Sequence, residues 1–263
     1  MGGWPLQSRI AHGPARLIRP AQSTMATTFC VVGATRGTGL QIASQLLQRG
    51  KHVRVVARDP EKARRLLADR AQVFGADVTV PSSLRNALDA DCRAIFFAVD
   101  VTGGIGGRSF FGPASKIRDV TYQGLVNVVE AACANRFGGR IVLLSGMGAD
   151  RPSLAGAILN AIKGNLQKNM VDRERYLEGC GLDYTVCRGA ILTDEPGGQH
   201  RVRVTAPTHS LDFRCRLARA DFARVLIVAS ELAAASRKVY DVFDEPGRAS
   251  DDRDIAHQLE AVP

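Results

Sequence analysis

The sequence predicts an α/β protein built on a doubly wound parallel sheet, with a small C-terminal subregion from about residue 195. Three observations carry that expectation. After Met25, short apolar strand-like runs alternate with helix-like runs of about ten residues or more, a rhythm that implies right-handed crossovers and a parallel sheet covered on both faces. The first strand runs into a glycine-rich corner, VVGATRGTG (31–39), and then straight into an amphipathic helix. Helices also start and stop at suitable residues. Gly50 follows its helix where a left-handed cap is wanted, and Asp59-Pro60-Glu61 supplies an N-cap, a proline at the first helical position and a first-turn acid.

In order, the pattern predicts strand 28–32, helix 38–49, strand 53–57, helix 60–69, strand 71–74, helix 81–89, strand 93–99, helix 116–136, strand 140–145, helix 155–179 and strand 183–187. Beyond 195 the signal weakens to a strand at 201–204, a helix at 220–234, a strand at 238–243 and a short helix at 251–260. We read residues 25–263 as one domain, with 195–263 packed beside the last strands. The segment 1–24 is rich in arginine and proline and has no acid. It suits a transit peptide, or else Met25 is the start and the leader is a disordered extension. The compartment expected is accordingly the cytoplasm, or an organelle matrix or stroma.

Composition narrows the function classes. Of 263 residues, 45% are hydrophobic and 23% charged, as in an ordinary globular protein. The net charge of +9 comes from 35 Lys and Arg dispersed among 26 acids, with no basic helix interleaved with aromatics, so nucleic acid is not expected as a partner. Arg9, Arg16 and Arg19 of the excess fall in the leader, and an anionic small ligand accounts for part of the rest. Six cysteines without a C-x-x-C pair indicate neither zinc nor a disulfide framework, and no metal site is expected. No apolar run approaches the roughly 20 residues of a membrane span.

The glycine corner is the strongest chemical signal. Gly33, Gly37 and Gly39 lie between a strand and a helix, where a dinucleotide's pyrophosphate approaches the main chain and the helix N-terminus holds it. A tight turn that needs glycine for its backbone alone is the competing reading. An acid about twenty residues beyond the glycines ordinarily binds the ribose hydroxyls, and Asp59 stands there, but its place before Pro60 commits it to capping. Arg36 inside the turn and Arg58 beside Asp59 can grip a 2′-phosphate, which favours NADP(H) over NAD(H).

The G-x-x-x-G-x-G spacing, with VVARDPEKA, GADVTVPSSL, GLVNVVEAA, VLLSGMGAD, GLDYTVCRGAILTDEP and RADFARVLIVA in that order, resembles the short-chain dehydrogenase/reductase superfamily, specifically its atypical NmrA-like branch. The resemblance runs from residue 27 to about 245. It implies a Rossmann fold with a substrate-side C-terminal subregion, and a cofactor-contacting set that takes in Thr35, Thr38, Val78 and Ala98 besides the glycines and arginines. It also implies that Asp77 accepts from the adenine amino group, although Asp77 could equally cap the turn before Pro81. Monomer and dimer both occur in the superfamily.

Reductases of this superfamily usually protonate substrate with a tyrosine four residues ahead of a lysine. No tyrosine here has a lysine four residues on: the residues found are Val126, Cys180, Arg188 and Asp244. By the resemblance, Lys168 stands at the helix lysine and would hold the nicotinamide ribose, with Gly164 where the tyrosine would be, and Ser145 matches the active-site serine. A solvated lysine and a strand-end hydroxyl bonded to its own backbone are the plainer readings of these two. The loop 100–116 carries Phe110 and Phe111 among glycines and reads either as a lid over a planar substrate or as a plug in the adjacent core. Tyr122, Asn127 and Thr193 are further candidates for the nicotinamide end. Gly189 follows Arg188 where the family usually has proline.

Two functions follow from this reading. One is an NADPH-dependent reductase passing hydride to a planar, conjugated or quinone-like small molecule that needs little protonation. The other is a nucleotide-binding regulator or assembly factor without turnover. Simple ketone reduction is disfavoured.

Overall fold

The computed structural model describes residues 28–100, 114–163 and 166–263. The N-terminal half follows the expected order: β1 (Thr28–Val32), α1 (Gly37–Gln48), β2 (His52–Ala57), α2 (Pro60–Leu66), β3 (Gln72–Gly75), α3 (Pro81–Leu84) and β4 (Cys92–Phe97). The second half runs α4 (Ala114–Arg118), α5 (Gly124–Ala134), β5 (Arg140–Gly146), α6 (Leu154–Lys163), α7 (Leu166–Gly179), β6 (Asp183–Gly189), β7 (Ile191–Thr193), β8 (Arg201–Thr205), β9 (Arg216–Ala218), α8 (Arg219–Glu231), β10 (Lys238–Glu245) and α9 (Asp252–Ala261).

Among the described residues the main sheet has eight strands in the order β3-β2-β1-β4-β5-β6-β10-β8. Its strands pair in parallel except for β8, which runs antiparallel to β10 in register Asp241↔Thr205 to Glu245↔Arg201. This is the doubly wound Rossmann arrangement. β7 and β9 form a separate parallel pair.

Strand alternation sorts the core into two layers. Phe29, Phe96, Leu46, Phe222, Leu226 and Tyr240 pack on the face covered by α1, α8 and α9. Cys30, Phe97, Ile95, Leu125, Ile141 and Leu177 pack on the opposite face, under α3, α5 and α7. Each fully buried side chain of this size contributes about 1.5–3 kcal/mol, so the sheet's carboxyl edge rests on a firm base.

The structure corrects several element boundaries. The helix expected at 81–89 is helical only over Pro81–Leu84. The helix expected at 116–136 is interrupted by a π-helical turn, Asp119–Gln123, in which the amide of Gly124 donates to the Asp119 carbonyl. A β-carbon at Gly124 would lie 2.8 Å from Val78 Cγ2, so α5 sits unusually close to the β3 exit. The expected helix 155–179 is two helices, α6 and α7. The side-chain oxygen of Asn160 accepts from the Gln167 amide at 2.8 Å, and so caps the first turn of α7.

Candidate active site

Strand order reverses between β1 and β4, and ligands of doubly wound sheets bind outside the carboxyl ends at such a point. Gly33 and Ala98 meet there. Gly33 has φ +94°, and a β-carbon on it would lie 2.9 Å from the Ala98 carbonyl oxygen. A β-carbon on Gly39 would fall 2.2 Å from the Gly33 oxygen. These two glycines let α1 seat on β1 and β4. Gly37 differs: at φ +52° its missing side chain would meet only Arg219, at 3.7 and 3.8 Å, so it keeps the outer side of the corner bare.

The start of α1 is open to an anion. Arg36 occupies the N-cap position in an extended conformation, its side chain makes no cap, and the first turn holds no acid. The orphan amides and the helix dipole are therefore unopposed. Thr35 is half-buried beside them and Thr38 is buried. The Arg36 guanidinium donates to the Asp100 carbonyl at 2.7 Å, and Arg58 is exposed at the end of β2. Asp59 Oδ1 accepts from the Lys62 amide at 2.9 Å, which is the capping role the sequence suggested. Asp77 Oδ1 accepts from the amide and hydroxyl of Thr79, and the Val78 carbonyl accepts from Asn127 Nδ2 at 2.7 Å. Asn127 thus braces the β3 exit. Bare main chain, uncapped amides and nearby guanidinium groups form a donor set that fits a dinucleotide.

A buried ionic network lies at the end of β5. Ser145 donates to Glu174 Oε1 at 2.6 Å, and Glu174 is gripped by Arg188 through contacts of 3.1, 3.2 and 2.5 Å. Arg188 reaches on to Asp150 at 2.9 Å. Sequence reasoning missed this network. Its signal was a charged residue inside the strand pattern of VCRGA, and a glutamate on the helix face that also carries Leu177.

Lys168 is not part of it. Its side chain is 69% exposed and its ammonium is bonded to Asp172, which also takes Arg118 at 2.6 Å. Besides Glu174, Met170 of α7 lies against β5, its Sδ and Cε 2.9 Å from where a Gly146 β-carbon would be. The buried cation of α7 is Arg173, 5% exposed; burial pulls its pKa below the usual value, against Asp100 and Glu174. Tyr122 stacks edge-on against Tyr176 at 6.4 Å, under the Arg118 guanidinium. Burial pushes the Tyr176 phenol up to about 12. The missing side chain of Gly189 leaves room for the Phe222 ring, 2.8 Å from the β-carbon position. Thr193 ends β7, half-buried, with its hydroxyl 3.4 Å from Glu195. Phe110 and Phe111 lie outside the described residues.

Fold and corner together define a nicotinamide-dinucleotide-binding protein. Residues 33–231 match the NAD(P)H-binding family, and the chain belongs to that family. An uncharacterized chloroplastic protein of Arabidopsis thaliana is 33% identical over 178 residues, covering 64% of this chain and 60% of that protein. The match thus spans less than two thirds of that relative's length. Among solved structures, the oxidoreductase ylbE from Lactococcus lactis superposes with a TM-score of 0.69 at 20% identity, over 89% of this chain and 95% of that one. ChuY, an anaerobillin reductase from Escherichia coli O157:H7, superposes with a TM-score of 0.64 at 20% identity, over 85% and 100%. Among the described residues no helix is long and apolar enough to cross a membrane.

Proposed function

We propose that this chain is an NADPH-dependent reductase of a planar, conjugated or quinone-like small molecule. The observation that carries the reading is the uncapped, acid-free start of α1 at the strand-order reversal, with Arg36 at its N-cap and Arg58 exposed at the end of β2. Gly33, Thr35, Gly37, Thr38 and Gly39 would hold the diphosphate; Arg36 and Arg58 the 2′-phosphate; Asp77, Val78 and Ala98 would line the adenine and ribose path. The cofactor supplies hydride when bound. The chain's own residues orient the acceptor and exclude water. No tyrosine precedes a lysine by four residues, and the Ser145 hydroxyl is committed to Glu174, which favours an acceptor needing little protonation. The reductase likeness of ChuY agrees with this substrate class, and the plant relative agrees with a chloroplast destination for the arginine-rich leader.

A second reading has its own support. The same Ser145–Glu174–Arg188 network turns the superfamily's serine into a structural group, as in a regulator or assembly factor that binds NADP(H) without turnover. Incubating the protein with NADPH and a panel of quinones, flavins and enones, while following the reduced nicotinamide band, separates the two. Oxidation with one acceptor class supports the reductase. Tight NADPH binding with no oxidation supports the regulator, and equal affinity for NADH and NADPH overturns the 2′-phosphate assignment.

A further inference from the structure

We propose that Arg219 grips the cofactor's pyrophosphate, giving up Asp194 to do so. The proposal rests on the dinucleotide reading above. Arg219 opens α8, outside the glycine motif, yet its Nε and Cδ lie 3.7 and 3.8 Å from the β-carbon position of Gly37. They are the atoms nearest to that position. Its helix is anchored: α8 is tied to α1 by Gln45 Nε2 donating to the Ala220 carbonyl at 2.8 Å, and to the segment before β2 by Lys51 paired with Glu231 at 2.6 Å. Two packed helices therefore fix the Arg219 backbone beside the bare corner, with Nε and Cδ reaching it.

The competing cations are occupied or placed elsewhere. Arg36 and Arg58 are assigned above to the 2′-phosphate, and Lys51 is paired with Glu231. Arg219 Nη1 pairs with Asp194 Oδ1 at 2.7 Å, but Asp194 is 88% exposed. Such a solvated pair is weakly held. A diphosphate brings more charge and a matching fork of acceptors, set at the positive end of α1, and so displaces the carboxylate. Since Asp194 directly follows Thr193 of β7, the exchange frees the loop beside the expected nicotinamide end whenever the cofactor arrives.

The test is calorimetric titration of the full chain with NADPH and, separately, with adenosine 2′-monophosphate, which lacks the pyrophosphate. Arg219→Ala is expected to weaken NADPH roughly ten- to hundredfold while leaving adenosine 2′-monophosphate within about twofold and the melting midpoint of the free protein unchanged. Arg219→Lys, a point charge without the fork, should fall between. Asp194→Asn should tighten NADPH roughly two- to fivefold, and only when Arg219 is present. An Arg219→Ala protein that binds NADPH like the unaltered chain overturns the proposal. So does a parallel loss of adenosine 2′-monophosphate, which would make Arg219 a part of the scaffold. Failure of the unaltered chain to bind NADPH at all sinks the parent reading instead.

Discussion

The hydroxyl of Ser145 donates to Glu174 across 2.6 Å, and both side chains are buried, on β5 and α7 respectively. The carboxylate is also the partner of Arg188 on β6. Three elements of the carboxyl edge are thereby joined through one buried charge, so the serine serves two masters if it also serves chemistry.

Truncating Glu174 should therefore be costly. Glu174→Ala leaves the 7%-exposed Arg188 side chain with Asp150 alone, and removing one partner of a buried pair costs about 3–5 kcal/mol. Ser145→Ala removes one donor to a buried carboxylate and should cost about 1.5–3 kcal/mol. Urea unfolding measures both. With its proton committed to Glu174, Ser145→Ala should lower turnover less than about tenfold, below the 10²–10⁴ typical of a general acid. A larger loss would restore Ser145 as the proton donor.

The glycines of the corner should fail in different ways. Gly39→Ala drives a β-carbon onto the Gly33 carbonyl, a backbone collision that cannot be relieved by a rotamer change; destabilisation of about 3 kcal/mol or more is expected. Gly37→Ala meets no backbone and carries only the left-handed penalty of about 1–2 kcal/mol, yet it covers the bare outer face. It should stay folded and lose NADPH affinity. Thermal melts paired with titration of each variant distinguish the two.

Lys168→Ala should change stability by less than about 0.5 kcal/mol, the worth of an exposed pair four residues apart on a helix. Its NADPH affinity should match the parent's, because the ammonium is turned to Asp172 and the end of β5 is met by Met170. A tenfold weaker affinity would bring Lys168 back to the nicotinamide ribose.

The strands and the glycine corner were legible because both are local: an apolar run bounded by turn residues, and three glycines where a strand becomes a helix. β7 and β9, three residues each, are too short to show alternation, and they are held by pairing with one another across the intervening β8 segment. The π-helical turn was invisible because the close approach of Gly124 to Val78 beside it joins residues far apart in the chain. The same limit applies to the site. Asp59's cap could be read from Asp-Pro-Glu alone, whereas the Ser145–Glu174–Arg188 network needs three packed elements and Arg219's place over Gly37 needs two. For Lys168 the sequence left a ribose contact and a solvated charge both open, and the side chain's pairing with Asp172 is a choice that order along the chain does not carry.

Asp244 gives the fold a pH dependence of known sign. On β10 it is partly buried, with Oδ2 accepting from the Ala218 amide at 3.2 Å and Oδ1 unpartnered. Burial pushes its pKa up to about 6, the neighbouring Asp221 and Glu195 adding to the effect, the Ala218 amide and His200 opposing it. The folded chain then holds this proton more tightly than the unfolded chain, whose aspartate titrates near its usual 3.8. The stabilisation is complete below about pH 4 and is lost as the pH rises through about 6. The displacement corresponds to at most about 3 kcal/mol, which solvent screening at a half-buried carboxyl reduces to about 1–2. Asp244→Asn keeps an acceptor for the Ala218 amide and cannot ionise. Unfolding by urea at pH 4.5, 5.5 and 7 should show the variant gaining on the parent as the pH rises, by about 1–2 kcal/mol over the range. A constant difference between the two proteins would mean that Asp244 is already ionised at pH 4.5.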